Sequence, residues 1–251
     1  MRKVFFIAIG LLAVCFVNAQ TQFITSGKIE FERRTNVHRL FFADEEGGSF
    51  YEMIKKSIPQ FRNDYFDLYF SETKSVFKPG KDSDIPKRIG FFGQPPGFEN
   101  NVYMDLETNT GISQKQIYEQ SFLITDSLKK LEWKITSETR TIAGFECRKA
   151  LTKICDSVVV VAFYTEEIVP SGGPESFHGL PGMILGLAIP RLYTTWFATK
   201  LELTGATDEK KISPPLKGKK ATNKEMITSV NNGIKNWGDK YRDKAIWLSS
   251  L

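Results

Sequence analysis

Only two histidines occur among the 251 residues, and one of them, His178, sits in the most constrained stretch of the chain. In Ser176-Phe177-His178-Gly179-Leu180-Pro181-Gly182-Met183 it stands beside two glycines and a proline within an apolar run. An imidazole next to a thiol can form a nucleophile pair, and Cys147 is the candidate thiol. An imidazole with carboxylates and a thiolate can hold a metal, and Glu166, Glu175 and Cys147 are the candidate companions. Neither chemistry has a supporting motif. The chain lacks a Gly-x-Ser-x-Gly elbow, a His-Glu-x-x-His helix, a phosphate loop and a dinucleotide fingerprint. Cys147 falls mid-strand, where a buried cysteine is inert packing. Glu166 and Glu167 are adjacent, so on a strand they point to opposite faces and share no site.

These residues favour binding over catalysis. No catalytic residue, metal or cofactor is assigned. The candidate binding set is His178, Gly179, Leu180, Pro181, Gly182 and Met183, joined by Tyr164 and Glu166. The two glycines permit positive φ, and Pro181 fixes φ and removes a donor. The corner thus either pins Leu180 in the core or forms the mouth of an apolar pocket. The alternative is a Cys/His- or metal-dependent enzyme centred on His178.

The elements that position this corner are mostly strands. Alternation over 27–37 puts Ile29 and Phe31 on one face and Lys28, Glu30 and Glu32 on the other. Similar signals cover 65–70, 75–77, 101–106, 111–118, 121–125 and 131–142, then 145–154, 157–164, 183–189 and 193–203. The β-branched Val158 to Val161 predicts a strand covered on both faces. Residues 50–58 predict a short helix. Thr222 and Glu225 form a capping box that opens a C-terminal helix, which Gly233 and Gly238 weaken. The turn-rich segment 79–100 carries Phe91, Phe92 and Phe98 as plugs or a lid. Short connections between about ten strands predict a mainly β fold: one domain over 20–251, a curved antiparallel sheet or open half-barrel, and a helical tail from about 222.

Residues 1–19 read as a secretory signal, with Arg2 and Lys3 before an apolar run and Val17-Asn18-Ala19 before a cut at Gln20. Lipidation at Cys15 is disfavoured by Val14 and by the short apolar run it would leave. The net charge is +5, and losing Arg2 and Lys3 leaves 32 basic against 29 acidic residues. That mild, scattered charge carries no nucleic-acid footprint. The cluster around Lys210, Lys211 and Lys217 to Lys220 reads as a solvated loop. No further run is long and apolar enough to span a membrane as a helix. Export permits disulfides. Yet a continuous strand over 145–154 would hold Cys147 and Cys155 roughly 26 Å apart, beyond the ~7 Å reach of a bridge, so both are expected to be free.

The central block resembles the GLPGLI family of Bacteroidetes cell-envelope proteins. Gly179-Leu180-Pro181-Gly182-Met183-Ile184 is similar to the turn that names the family. Ile142-Ala143-Gly144-Phe145-Glu146-Cys147-Arg148-Lys149-Ala150 and Ala162-Phe163-Tyr164-Thr165-Glu166-Glu167-Ile168-Val169-Pro170 resemble its flanking blocks. The chain departs from the pattern at Gly186, where many members carry an acid. The resemblance implies an exported β-rich protein of the periplasm or outer membrane and implies no reaction. Its expected role is carrier or accessory protein for an apolar ligand, a peptide or an outer-membrane partner. Any site is expected where the 179–184 corner, the 166–170 turn and the 79–100 loop meet.

Overall fold

The computed structural model describes residues 23–42, 49–83, 94–203, 209–236 and 238–251. The signal segment, Cys15, Phe91 and Phe92 lie outside them. Strand β1 (Gly27–Asn36) runs into helix α1 (Val37–Phe42), and helix α2 (Ser49–Ser57) follows. A meander comes next: β2 (Phe61–Phe70), β3 (Lys74–Pro79), β4 (Asn101–Asp105), β5 (Thr110–Ile117) and β6 (Gln120–Ser127). A second meander holds β7 (Lys134–Ile142), β8 (Phe145–Ile154), β9 (Val158–Thr165), β10 (Met183–Ile189) and β11 (Thr194–Glu202). Strand β12 (Lys219–Ala221) and helices α3 (Asn223–Gly233) and α4 (Asp239–Ser249) close the chain. The fold is mainly β, as the alternation predicts.

Among the described residues the twelve strands join one sheet in the order β12-β6-β5-β4-β3-β2-β1-β11-β10-β9-β8-β7. Strand β1 links the two meanders, pairing antiparallel with β2 on one side and β11 on the other. Its alternation does what the sequence requires: Ile29 and Phe31 are fully buried while Lys28, Glu30 and Glu32 are not. Each such side chain stabilises the fold by about 1.5–3 kcal/mol. Phe66 stacks on Phe77 with ring centroids 4.7 Å apart, and Phe31 meets Phe77 edge-on.

The sheet is strongly curled. Strands β5 and β8 are third and eleventh in the order, and eight neighbour spacings in a flat sheet would part them by roughly 38 Å. Residues of both instead line one cavity. The edges β12 and β7 do not pair with each other, which makes this an open half-barrel. Helices α3 and α4 pack Met226, Val230, Ile234 and Ala245 against Ile117, Phe122 and Ile124. Leu248 and Leu251 reach the main core.

Three expectations are corrected. Val159 is 39% exposed between fully buried Val158 and Val160, and Val161 and Phe163 are only half-buried, so the second face of β9 is partly covered. The Lys217–Lys220 cluster is not all loop, because Lys219 and Lys220 pair parallel with β6 as part of β12. The C-terminal helix is two: α3 ends at Gly233, and α4 starts after Gly238, whose φ is +82°. The Thr222–Glu225 capping box forms as read, with reciprocal bonds of 3.2 and 2.8 Å.

Candidate functional site

The corner before β10 is rigid for local reasons. Gly182 has φ +141°, and a Cβ there would lie 2.1 Å from the Thr165 carbonyl oxygen, so the β9 backbone approaches too closely for any side chain. Gly182 N–H donates to Leu180 O at 2.8 Å, and Met183 and Ile184 N–H donate to Ile168 O and Gly172 O. Ile184 then pairs with Tyr164 across β9. Gly179 N–H donates to Ser171 Oγ at 2.7 Å, and the Trp133 indole donates to His178 O at 2.8 Å. Leu180 is buried in the core.

Just upstream, Glu175 is completely buried with a left-handed backbone, φ +57°. Its Oε2 accepts from Asn100 Nδ2 at 2.8 Å, and its Oε1 lies 3.8 Å from Arg33 Nη1. Arg33, on β1, is 2% exposed and sits between the rings of Phe66 and Phe98, each 4.7 Å away. It donates to Gly97 O, Phe98 O and Asp64 Oδ2. Asp64 also accepts from Arg62 Nε at 2.8 Å. Burial pushes the Glu175 carboxyl above its ordinary range, opposed by Arg33, Asn100 and Lys115. This cluster ties the corner to the 94–100 segment through the middle strand of the sheet.

Beside it lies a cavity of about 400 Å³, within the size range of small-molecule sites. Alternation turns Gly111, Ser113 and Lys115 of β5 to one face; the small Ser113 leaves space there, while Leu128 packs over Gly111, its Cδ2 3.1 Å from where a Cβ would stand. Met104 and Ile124 from neighbouring strands, Leu128, Ile154 and Phe177 supply apolar walls. Cys155, Ser176 and His178 form the side nearest the corner, and the first turns of α3 form another. Lys115 is 4% exposed, and its Nζ donates to Ser249 O at 3.0 Å. Burial pushes this amine down to about 8, against the opposing pull of Glu175 and Cys155.

The structure divides the residues singled out from the sequence. His178 lines the cavity, with Nδ1 2.9 Å from Ser176 O. Gly179, Leu180, Pro181, Gly182 and Met183 do not line it; they form the structural corner beside it. Tyr164 is buried beneath, and its hydroxyl donates to Glu166 at 3.4 Å. Glu166 is exposed and also accepts from Arg148 at 3.4 Å, the pairing expected of a surface carboxylate. Cys147 and Cys155 are free. Cys147 is buried outside the cavity, donates to Phe145 O, and has its thiol pushed up to about 12 by burial. That is the opposite of the shift an attacking thiolate needs. Among the described residues no three His, Cys, Asp or Glu side chains gather as a metal set. The 179–184 corner meets the 166–170 turn through Met183 N–H and Ile168 O, and Asn100 reaches Glu175 just upstream; the cavity lies beside that junction and is lined by none of the three segments, and residues 84–93 of the loop lie outside the described residues. A Cβ at Gly186 would lie 2.8 Å from Ile142 Cδ1 and 2.9 Å from Phe197 Cε1, so a side chain there requires those two side chains to move.

Sequence reasoning missed Lys115 and Arg33. Both share strand parity with buried apolar residues, Ile117 and Phe31 respectively, and that parity is the signal that places them inside.

Residues 151–186 match a family described as protein of unknown function (Porph_ging). The matched stretch holds both Ile154-Cys155 and Phe177-His178 of the cavity wall, together with the corner. No curated protein matches the chain. Among solved structures, PNGF-II in a C2 crystal form aligns with TM-score 0.50 and 15% identity, over 90% of this chain and 33% of that one. A P21 form gives 0.49 and 16% over 78% and 32%. The chain thus spans about a third of the length of those structures, and the likeness is one of fold. Among the described residues no helix is long and apolar enough to cross a membrane.

Proposed function

We propose that this chain is an exported, GLPGLI-type envelope protein that binds a small apolar ligand as a carrier or accessory protein and catalyses no reaction. The observation that carries the reading is the cavity of about 400 Å³ inside the curled sheet, where Met104, Ile124, Leu128, Leu131, Ile154, Phe177 and Ile227 supply apolar walls between polar ones. A pocket of that size whose apolar walls adjoin polar side chains suits a small molecule with a largely apolar body. The Porph_ging match over 151–186 and the 179–184 turn support the family assignment. The charged, apolar and small-residue order of residues 1–19 supports export.

The test is native mass spectrometry of the protein isolated from its own periplasm, beside a Ser113→Phe variant that fills the cavity. The expected result is a chain starting at Gln20 that carries one small apolar adduct, with no adduct on the folded variant. A bare wild-type chain that also fails to take up added 1-decanol overturns the binding reading. An uncleaved cytoplasmic chain overturns the export reading.

A further inference from the structure

The cavity walls carry an unbalanced charge. Lys115 lies within them, and Lys129 and Lys224 stand exposed at the rim. Among the described lining residues Asp126 is the only acid, and it already accepts from Asn223 N–H at 2.7 Å at the start of α3. Three cations therefore face one engaged carboxylate. The most deeply buried of the three, Lys115, has three donors and spends one on a neutral carbonyl, Ser249 O. Glu175 and Cys155 are the groups whose charges bear on it, and Glu175 is held by Asn100 and faces Arg33. A buried ammonium without a close anion is costly unless something pairs with it.

Resting on the reading of this cavity as a ligand site, we infer that its ligand is an apolar carboxylate of about a dozen heavy atoms, held head-first by Lys115 with its chain along Met104, Ile124 and Phe177. At roughly 30 Å³ for each water-sized group, 400 Å³ holds about that many. Lys115 offers the head a charge-assisted hydrogen bond in a site shielded from water. Lys129 and Lys224 lie where an incoming anion passes. The chain takes the space that the small Ser113 side chain leaves between these walls.

Isothermal titration of decanoate, 1-decanol and decylamine into the whole mature protein at pH 7 tests this. Decanoate is expected to bind about tenfold to a hundredfold more tightly than decanol, and decylamine no more tightly than decanol. In Lys115→Met, decanoate falls to the affinity of decanol while decanol binding persists. In Lys129→Met/Lys224→Met, the preference for decanoate remains. Equal binding of decanoate and decanol by wild type, or a preference that survives Lys115→Met, overturns the carboxylate assignment and leaves the carrier reading standing. Failure of all three decyl compounds to bind wild type overturns both.

Discussion

Replacing Lys115 by Met should stabilise the protein, and by an amount that depends on pH in a specified way. Burial moves the amine from 10.5 down to about 8; at 1.36 kcal/mol per unit, keeping it protonated at pH 7 costs the fold about 3 kcal/mol. The bond from Nζ to Ser249 O returns about 1 kcal/mol. Lys115→Met is therefore expected to be about 2 kcal/mol more stable than wild type at pH 7. The folded-state value lies below the unfolded one, so between pH 8 and 10.5 the unfolded chain binds more protons. Wild-type stability accordingly rises with pH through that window. The variant lacks the group, so its advantage shrinks by about 1.4 kcal/mol per pH unit and becomes a deficit of about 1 kcal/mol near pH 10.5. Urea unfolding of both proteins at pH 7, 8, 9 and 10 measures this, and the difference between them cancels the tyrosines and other lysines. A difference that stays flat from pH 7 to 10 refutes the reasoning, because it would mean that Lys115 titrates alike in both states.

Further outcomes are expected. Gly182→Ala should lower stability by more than about 2 kcal/mol, read as a fall in Tm, because its Cβ meets the Thr165 carbonyl at 2.1 Å. Gly179→Ala, whose nearest neighbour is 3.7 Å away, should cost only the left-handed backbone, about 1 kcal/mol. Maleimide labelling of the native protein, mapped by peptide mass, should modify half-buried Cys155 and spare buried Cys147; added decanoate should slow the reaction at Cys155, which lines the cavity.

Most of the sheet is legible in the sequence because a half-buried strand must alternate, as Ile29, Phe31 and their charged neighbours do. Strand β12 is not, since Lys219-Lys220-Ala221 has no apolar alternation and pairs only because β6 offers a free edge. The corner is legible from Gly179, Pro181 and Gly182, which specify backbone shape. The cavity is not. It exists because the small Ser113 lines it and because the sheet curls far enough to bring Ile154 to the same space, and curl is a property of the whole sheet. The Arg33–Glu175 ion pair escapes notice for a related reason: its members lie 142 positions apart and meet only once β1 takes its place between the meanders.

The place of β1 has a further consequence, for the timing of folding. Lys28 pairs with Glu202, so the middle of the sheet waits for a segment made 174 residues later. At about 5–20 residues per second, synthesis leaves β1 without that partner for roughly 9–35 s. The β7–β11 meander likewise stays cut off from β2–β6 until β1 joins them. A chain built this way completes the middle of its sheet only after β11 has been made, so its two halves commit to one shape late in synthesis.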